Sequence, residues 1–220
     1  MLQLKGTEPL FVGGTRFCFI HPQHPDRCVK VLRPDRTGEA RKRDAQNWKR
    51  FLPPRFFDDQ LKEIRAYDEL ISQQNPRLWE YIPEYYGTVE TDMGLGIVTR
   101  LYKNGDGSWP ENLEEALPNG LSPALDDAIE RFLQGLLREH IVTRDLLPHN
   151  LIAVKQGEGN SEKYQVLIVD GIGNSELIPI STWFHFFAKR KIQRKIAKFR
   201  YRASILLPEA QRIGKYRCNS

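Results

Sequence analysis

The sequence predicts an α+β fold in which a β-rich N-terminal part is followed by a helical C-terminal part. Short apolar and aromatic runs bounded by turn residues, such as residues 28–32, are typical of β-strands. Residues 125–140 instead repeat apolar side chains with the 3.6-residue period of a helix. The polar segment 103–123, interrupted by Pro and Gly, separates the two patterns. We therefore predict two domains, residues 1–102 and residues 103–220.

The composition excludes several classes of protein. Of the 220 residues, 28% are charged and 40% are hydrophobic, as in a soluble globular chain and unlike a disordered one. No run of about 18 apolar residues predicts a membrane span, and the N-terminus lacks the pattern of a secretory signal. The three cysteines form neither a CxxC pair nor a disulfide framework. These features predict a reduced, cytoplasmic protein.

The N-terminal strands are expected to begin with a hairpin whose two apolar runs are separated by Gly13 and Gly14. After a turn-forming stretch at 21–26, the run at 28–32 predicts a third strand with one lysine among apolar residues. A second hairpin is predicted further along, with its strands joined by a four-residue turn at 91–94.

A helix is predicted between the two hairpins, after the acidic pair at 58–59, because acidic residues favour a helix N-terminus. Glu63 is followed three and four positions later by an alanine and a tyrosine. The alternative, Glu69, is followed at the same positions by a serine and a glutamine. Residues at this spacing share one face of a helix. We therefore predict that Glu63 lies on the inward face.

The C-terminal part is expected to continue from the helix at 125–140 to two short strands, at 151–154 and 166–169, and then to a basic helix. Residues 183–202 hold eight Lys or Arg and no acid, interleaved with aromatic and branched side chains. One interpretation is a docked helix with a solvated cationic face. The other is a surface for an anionic partner, namely membrane lipid, lipopolysaccharide or nucleic acid.

The choice among these anionic partners bears on localisation. A lipid partner would make the protein membrane-peripheral. Nucleic acid ranks last, because the sequence contains no groove-reading motif and its net charge of +5 is a mild excess.

The most informative residues are polar and follow predicted elements in a fixed order. Asp145 comes just after the long helix, Asn150 five residues later, and Asp170 at the end of the next hairpin. Phosphoryl transfer needs one carboxylate to accept a hydroxyl proton, and a second carboxylate with an amide oxygen to hold Mg²⁺. It also needs a strand lysine beside the phosphates and a helix glutamate to fix that lysine, which Lys30 and Glu63 supply.

Three motifs carry a resemblance to a known group of proteins. VKVL at 29–32, TRDLLPHN at 143–150 and VDG at 169–171 resemble the protein-kinase-like superfamily, over roughly residues 8–175. Within it, the chain is most similar to the bacterial YrbL-type family, which is linked to the PhoP regulatory network. The resemblance implies a two-lobed kinase-like fold with a β-rich N-lobe and a truncated helical C-lobe.

The resemblance also implies ATP and Mg²⁺ as cofactors, bound in the cleft between the lobes, and a role for particular residues. The implied roles are a catalytic base, two magnesium ligands, a phosphate-positioning ion pair, a hinge beside the adenine and a reduced glycine loop. In that order they are Asp145; Asn150 and Asp170; Lys30 and Glu63; Leu101; Gly13 and Gly14.

The implied activity is ATP-dependent phosphotransfer to a hydroxyl acceptor, and two alternatives stay open. A sugar or lipopolysaccharide-core kinase is favoured by the short C-lobe, by the basic tail, and by Leu147, where protein serine/threonine kinases often have a lysine. A non-catalytic regulatory binding module is favoured by the short glycine loop and by Thr143, where the family usually has a histidine. The metal-binding turn also lacks its usual aromatic residue, because Gly171 follows Asp170 directly.

Overall fold

The computed structural model describes residues 1–43, 53, 57–157, 162–172 and 185–216. The chain divides into two compact units. The first consists of Met1–Ser72 with Glu84–Leu101, and the second of Gln73–Pro83 with Tyr102–Ser220. Among the described helices, none is both long and apolar enough to cross a bilayer.

In the part of the chain that the structure describes, the first unit contains a five-stranded antiparallel sheet and two α-helices. In chain order its elements are β1 (Phe11–Val12), β2 (Arg16–His21), β3 (His24–Leu32), α1 (Gly38–Arg43), α2 (Asp59–Ser72), β4 (Tyr85–Thr91) and β5 (Gly94–Arg100). The strands lie in the order β1-β2-β3-β5-β4. The turn predicted at 21–26 is shorter than expected, because the pairing of β2 with β3 continues to His21 and His24.

The two faces of this sheet differ, since successive side chains along a strand point to opposite sides. One face contributes Phe19, Val29, Val31 and Val98 to a buried cluster with Leu4. The other face carries three side chains that the strand register places side by side, Cys18, Lys30 and Ile97.

One side chain of helix α2 donates hydrogen bonds to the backbone of two strands and so connects the helix to the sheet. The amide nitrogen of Gln60 donates to the carbonyl oxygens of Lys30 at 3.0 Å and Leu95 at 2.9 Å. Because Lys30 lies on β3 and Leu95 on β5, this single amide fixes the helix across two neighbouring strands. The N-terminus of the helix is capped by the Asp58 carboxylate, which accepts from the Gln60 and Leu61 N–H groups.

Among its described residues, the second unit is mainly helical, with one two-stranded sheet. Its elements are α3 (Leu113–Ala116), α4 (Pro123–Arg138), β6 (Leu151–Gln156), β7 (Lys163–Ile168) and α5 (His185–Leu206). Helix α4 begins at Pro123 after the Ser122 cap, and its predicted apolar face is buried, which confirms the period seen in the sequence.

The predicted basic helix is present as α5. It buries Ile192, Ile196 and Phe199, while most of its cations are exposed. Residues 183 and 184 of the predicted segment lie outside the described residues, and the helix continues beyond 202 to Leu206. The chain contains both helices and sheets, with most strands in the N-terminal part and most helical residues in the C-terminal part. This order confirms the predicted α+β class.

The segment Gln73–Pro83 belongs to the second unit because it packs on helix α4 and strand β7. The Ile168 N–H donates to the Tyr81 carbonyl at 2.9 Å, and the Tyr81 ring lies 6.4 Å from that of Phe132. Gly135 permits this packing. A Cβ atom built on Gly135 would stand only 2.1 Å from the Tyr81 ring. This glycine is therefore required by close approach and not by a turn.

We expect Gly135→Ala to destabilise the protein, although in a helix interior alanine is normally more favourable than glycine by about 1 kcal/mol. The added methyl group would overpack against the Tyr81 ring, so the free energy of unfolding should fall by about 1–3 kcal/mol in urea denaturation. The control is the same substitution in a Tyr81→Ala background, where it should be neutral or stabilising. Equal destabilisation in both backgrounds would contradict this account.

Candidate functional site

Three of the predicted site residues lie on two backbone segments that pair with each other in the second unit. The Arg144 N–H donates to the Gly171 carbonyl at 2.7 Å, and Thr143 forms an isolated antiparallel bridge with Ile172. The Val169 N–H donates to the Asn150 carbonyl at 2.8 Å. These bonds hold the loop at 145–150 against the turn at 170–171, so Asp145, Asn150 and Asp170 are brought together.

Gly171 makes this close contact between the loop and the turn possible. Its φ angle of +80° lies in the left-handed region, which favours glycine. A Cβ atom there would also stand 3.2 Å from the Asp145 carbonyl oxygen and 3.3 Å from the Asn150 amide nitrogen. Both the backbone conformation and the available space therefore require glycine directly after Asp170.

The polar ends of Asn150 and Asp170 are oriented by hydrogen bonds. The amide nitrogen of Asn150 donates to the Asp145 carbonyl at 3.4 Å, so its amide oxygen is the end directed elsewhere. One carboxylate oxygen of Asp170 accepts from the Gly171 N–H at 2.7 Å, while 41% of the side chain remains exposed. An oriented amide oxygen and a carboxylate suit Mg²⁺, which binds few protein oxygens and completes its shell with water and phosphate.

This donor set fits magnesium better than a metal that the protein alone would enclose. In the part of the chain that the structure describes, no group of three or more His, Cys, Asp or Glu side chains could hold a metal ion. A site of two protein oxygens therefore needs further oxygen donors, which water and the phosphates of a nucleotide can supply.

Each of the two carboxylates lies near a cation. The Arg144 guanidinium is 4.0 Å from Asp170, and the Lys195 ammonium is 3.3 Å from the Asp145 carboxylate. Lys195 also donates to the Arg144 carbonyl oxygen. No sequence pattern singles out Lys195, because it lies 50 residues from Asp145 and is one of many cations on α5.

In the first unit, Lys30 is buried on β3 with 8% of its surface exposed. The two cysteines on the same face influence each other. A hydrogen bond from Cys18 and the charge of Lys30 lower the pKa of Cys28 to about 6, against the opposing effect of burial. The hydrogen bond with Cys28 and burial raise the pKa of Cys18. The charge of Lys30 therefore favours the thiolate form of Cys28.

Glu63 is fully buried on α2, which confirms the inward face predicted from its spacing, whereas Glu69 is exposed. Its carboxylate forms an ion pair with Arg16 at 2.7 Å, and the Arg16 side chain is only 6% exposed. Arg16 also donates to the side chain of Gln60 and to the carbonyl of Asp59. The sequence interpretation did not include Arg16, although strand alternation places it on the same face as Cys18.

The remaining predicted residues lie at the ends of strands in the first unit. The Gly13 N–H donates to the Arg16 carbonyl at 2.8 Å and closes the turn between β1 and β2, with Gly14 exposed beside it. Leu101 follows β5, and its N–H donates to the Asp26 carbonyl at 2.8 Å. Gly13, Gly14, Lys30, Glu63 and Leu101 thus belong to the first unit, and the other three predicted residues to the second.

The fold is that of a protein kinase domain. A crystal structure of the Mycobacterium tuberculosis PknI kinase domain matches with a TM-score of 0.50 and 16% sequence identity, over 94% of this chain and 75% of that chain. A double mutant of the same domain matches with a TM-score of 0.50 and 16% identity, over 94% of this chain and 74% of that chain. At this level of identity, the likeness concerns the fold alone.

The chain belongs to the family of the PhoP regulatory network protein YrbL, whose model matches residues 2–204. Two relatives from Escherichia coli (strain K12) and Shigella flexneri, each described as uncharacterized protein YrbL, are 30% identical to it over 205 residues. The match covers 90% of this chain and 86% of each relative. The resemblance inferred from the three motifs is therefore confirmed at the level of the family.

We expect Glu63→Leu to destabilise the protein by about 3–5 kcal/mol, because it leaves the Arg16 guanidinium buried without its carboxylate. Chemical denaturation measures the loss. The matched control is Glu69→Leu on the exposed side of the same helix, which should change the free energy of unfolding by no more than about 0.5 kcal/mol. If the two variants were equally stable, the buried ion pair between Arg16 and Glu63 would not contribute to the stability of the first unit.

Proposed function

We propose that the protein is an ATP- and Mg²⁺-dependent phosphotransferase that acts on a hydroxyl acceptor. The observation that supports this best is the pairing of the 145–150 loop with the Asp170–Gly171 turn, which gathers two carboxylates and an oriented amide. The family resemblance of the surrounding motifs and the kinase fold support the same activity.

Asp145 is the proposed catalytic base. Its side chain is 65% exposed, so a hydroxyl can reach the carboxylate. Asp145 accepts the hydroxyl proton while the acceptor oxygen bonds to the γ-phosphorus and the bond from that phosphorus to the bridging oxygen of ADP breaks. ADP then leaves, and the acceptor retains the phosphoryl group.

Asn150 and Asp170 are the proposed magnesium ligands, through the amide oxygen and the carboxylate. The bound ion would neutralise charge on the phosphates during transfer. Lys30 is proposed to contact phosphate oxygens, with Glu63 fixing that lysine, Leu101 beside the adenine, and Gly13 and Gly14 covering the phosphates.

A second candidate function differs in its acceptor. The cations of α5 favour an acceptor that is anionic. Lys198 and Arg202 are exposed and follow Lys195 at three and seven residues, so they continue one stripe of the helix over about 10 Å. An anionic sugar or a lipopolysaccharide core lying along this stripe would have hydroxyl groups near Asp145. Phosphate transfer to a purified lipopolysaccharide core, but not to a generic protein, would select this candidate.

We expect calorimetry to show ATP binding that depends on magnesium and is lost in Asp170→Asn. Asparagine keeps an oxygen to accept from the Gly171 N–H but lacks the charge that the metal requires. The matched control is Asp127→Asn on α4, which removes an exposed carboxylate outside the site and should leave binding unchanged. Absence of ATP binding by the wild-type protein would overturn the proposed function at its first step.

We expect Asp145→Asn to bind ATP with magnesium as the wild type does, but to turn it over about 10²–10⁴-fold more slowly, because the variant cannot accept the acceptor proton. Initial rates of ADP release measure this loss. Turnover that survives the substitution would exclude Asp145 as the base. Tight ATP binding by the wild type without any turnover would instead support a regulatory binding module.

A further inference from the structure

After Asp145, the loop that carries the proposed base contains no lysine or arginine. The four residues between Asp145 and Asn150 are two leucines, a proline and a histidine. A carboxylate that must approach a phosphoryl group brings negative charge towards negative charge, and this repulsion opposes the reaction. A fixed cation beside the base would offset it. Arg144, which precedes the base, has its guanidinium 4.0 Å from Asp170 instead.

Lys195 supplies a cation at this place. Its ammonium lies 3.3 Å from the Asp145 carboxylate and donates to the backbone carbonyl of Arg144, the residue that precedes the base. One ammonium thus contacts both the carboxylate of the base and the backbone directly before it. Lys195 is therefore placed to fix the side chain of a base whose loop is already held by backbone hydrogen bonds.

The lysine is itself held firmly. Its side chain is 19% exposed, and it lines a small recess together with the apolar residues Leu136, Val142 and Leu146. Ile192 and Ile196, which flank Lys195 on α5, are buried and dock the helix. Lys195 thus differs from the solvated cations of the same helix, such as Lys198.

We propose that Lys195 is a positioning residue for the base: from helix α5, its ammonium fixes the Asp145 carboxylate and provides the positive charge that the 145–150 loop lacks. This inference rests on the proposed function. It gives α5 a role in the reaction besides its packing and besides any contact with an anionic partner. The reaction would then require the C-terminal helix to be docked.

The test compares three variants in the full-length protein, by initial rates with ATP and magnesium and by calorimetric ATP binding. Lys195→Gln removes the charge but keeps an N–H donor for the Arg144 carbonyl. Lys195→Arg keeps both the charge and the donor. Lys163→Gln is the matched control, because Lys163 is an exposed lysine in the same unit and pairs with Gln156 at the end of the β6–β7 hairpin that is remote from the loop.

We expect Lys195→Gln to lower kcat by about 10²-fold, the loss typical of a misplaced catalytic group, with the KM for ATP and the ATP affinity nearly unchanged. Lys195→Arg should recover most of the lost kcat, and Lys163→Gln should match the wild type. A change confined to kcat, with rescue by arginine, is not what loss of stability alone produces. Thermal melting of each variant identifies any that is unfolded, and Lys195→Met then serves as a second variant without charge.

Each other outcome overturns the proposal. If the wild type turns over ATP and Lys195→Gln has the same or a higher kcat, Lys195 has no positioning role. The proposed phosphotransferase activity would stand in that case. Failure of arginine to rescue would show that the lysine acts through local structure and not through its charge. Wild-type ATP binding without turnover would overturn the proposed function, and the role of Lys195 with it.

Discussion

Gly171 lies so close to the 145–150 loop that a Cβ atom there would stand 3.2 Å from the carbonyl oxygen of Asp145. This approach lets the Arg144 N–H reach the Gly171 carbonyl, and it leaves the Gly171 N–H free to orient the Asp170 carboxylate. The same contact places the Asn150 amide nitrogen on the Asp145 carbonyl, which directs its oxygen elsewhere. Two side chains that are 20 residues apart along the chain, those of Asn150 and Asp170, are thus oriented by contacts made around one residue without a side chain.

Charge within each unit is balanced locally, but by different means. In the first unit, a fully buried carboxylate on α2 meets a nearly buried guanidinium from β2, so neither ion keeps its water and each depends on the other. In the second unit, the carboxylates of Asp145 and Asp170 stay exposed while cations stand beside them. The first arrangement fixes structure. The second leaves carboxylate oxygens accessible to a ligand, as the proposed chemistry requires.

The basic C-terminal helix serves more than one purpose. Its Ile192, Ile196 and Phe199 side chains are buried in the second unit, which is what the docked-helix interpretation expected, while Lys198 and Arg202 remain solvated. Lys195 lies between these two environments, with its stem in an apolar recess and its charge at the proposed base. Lys195 therefore both packs in the second unit and places a charge at the proposed base. It connects helix α5, which follows the three motifs in the chain, with the proposed chemistry.

The order of strands and helices, the inward face of α2 and the polar residues of the three motifs could all be predicted from the sequence, because local periodicity and residue type determine them. The family followed from the same motifs. The sequence did not predict that Arg16 pairs with Glu63, that Gly135 makes room for Tyr81, or that Lys195 reaches Asp145. Each of these contacts joins residues from 47 to 54 positions apart. Spacing along one element carries no information about such pairs, so only the packing of the elements in the tertiary structure decides them.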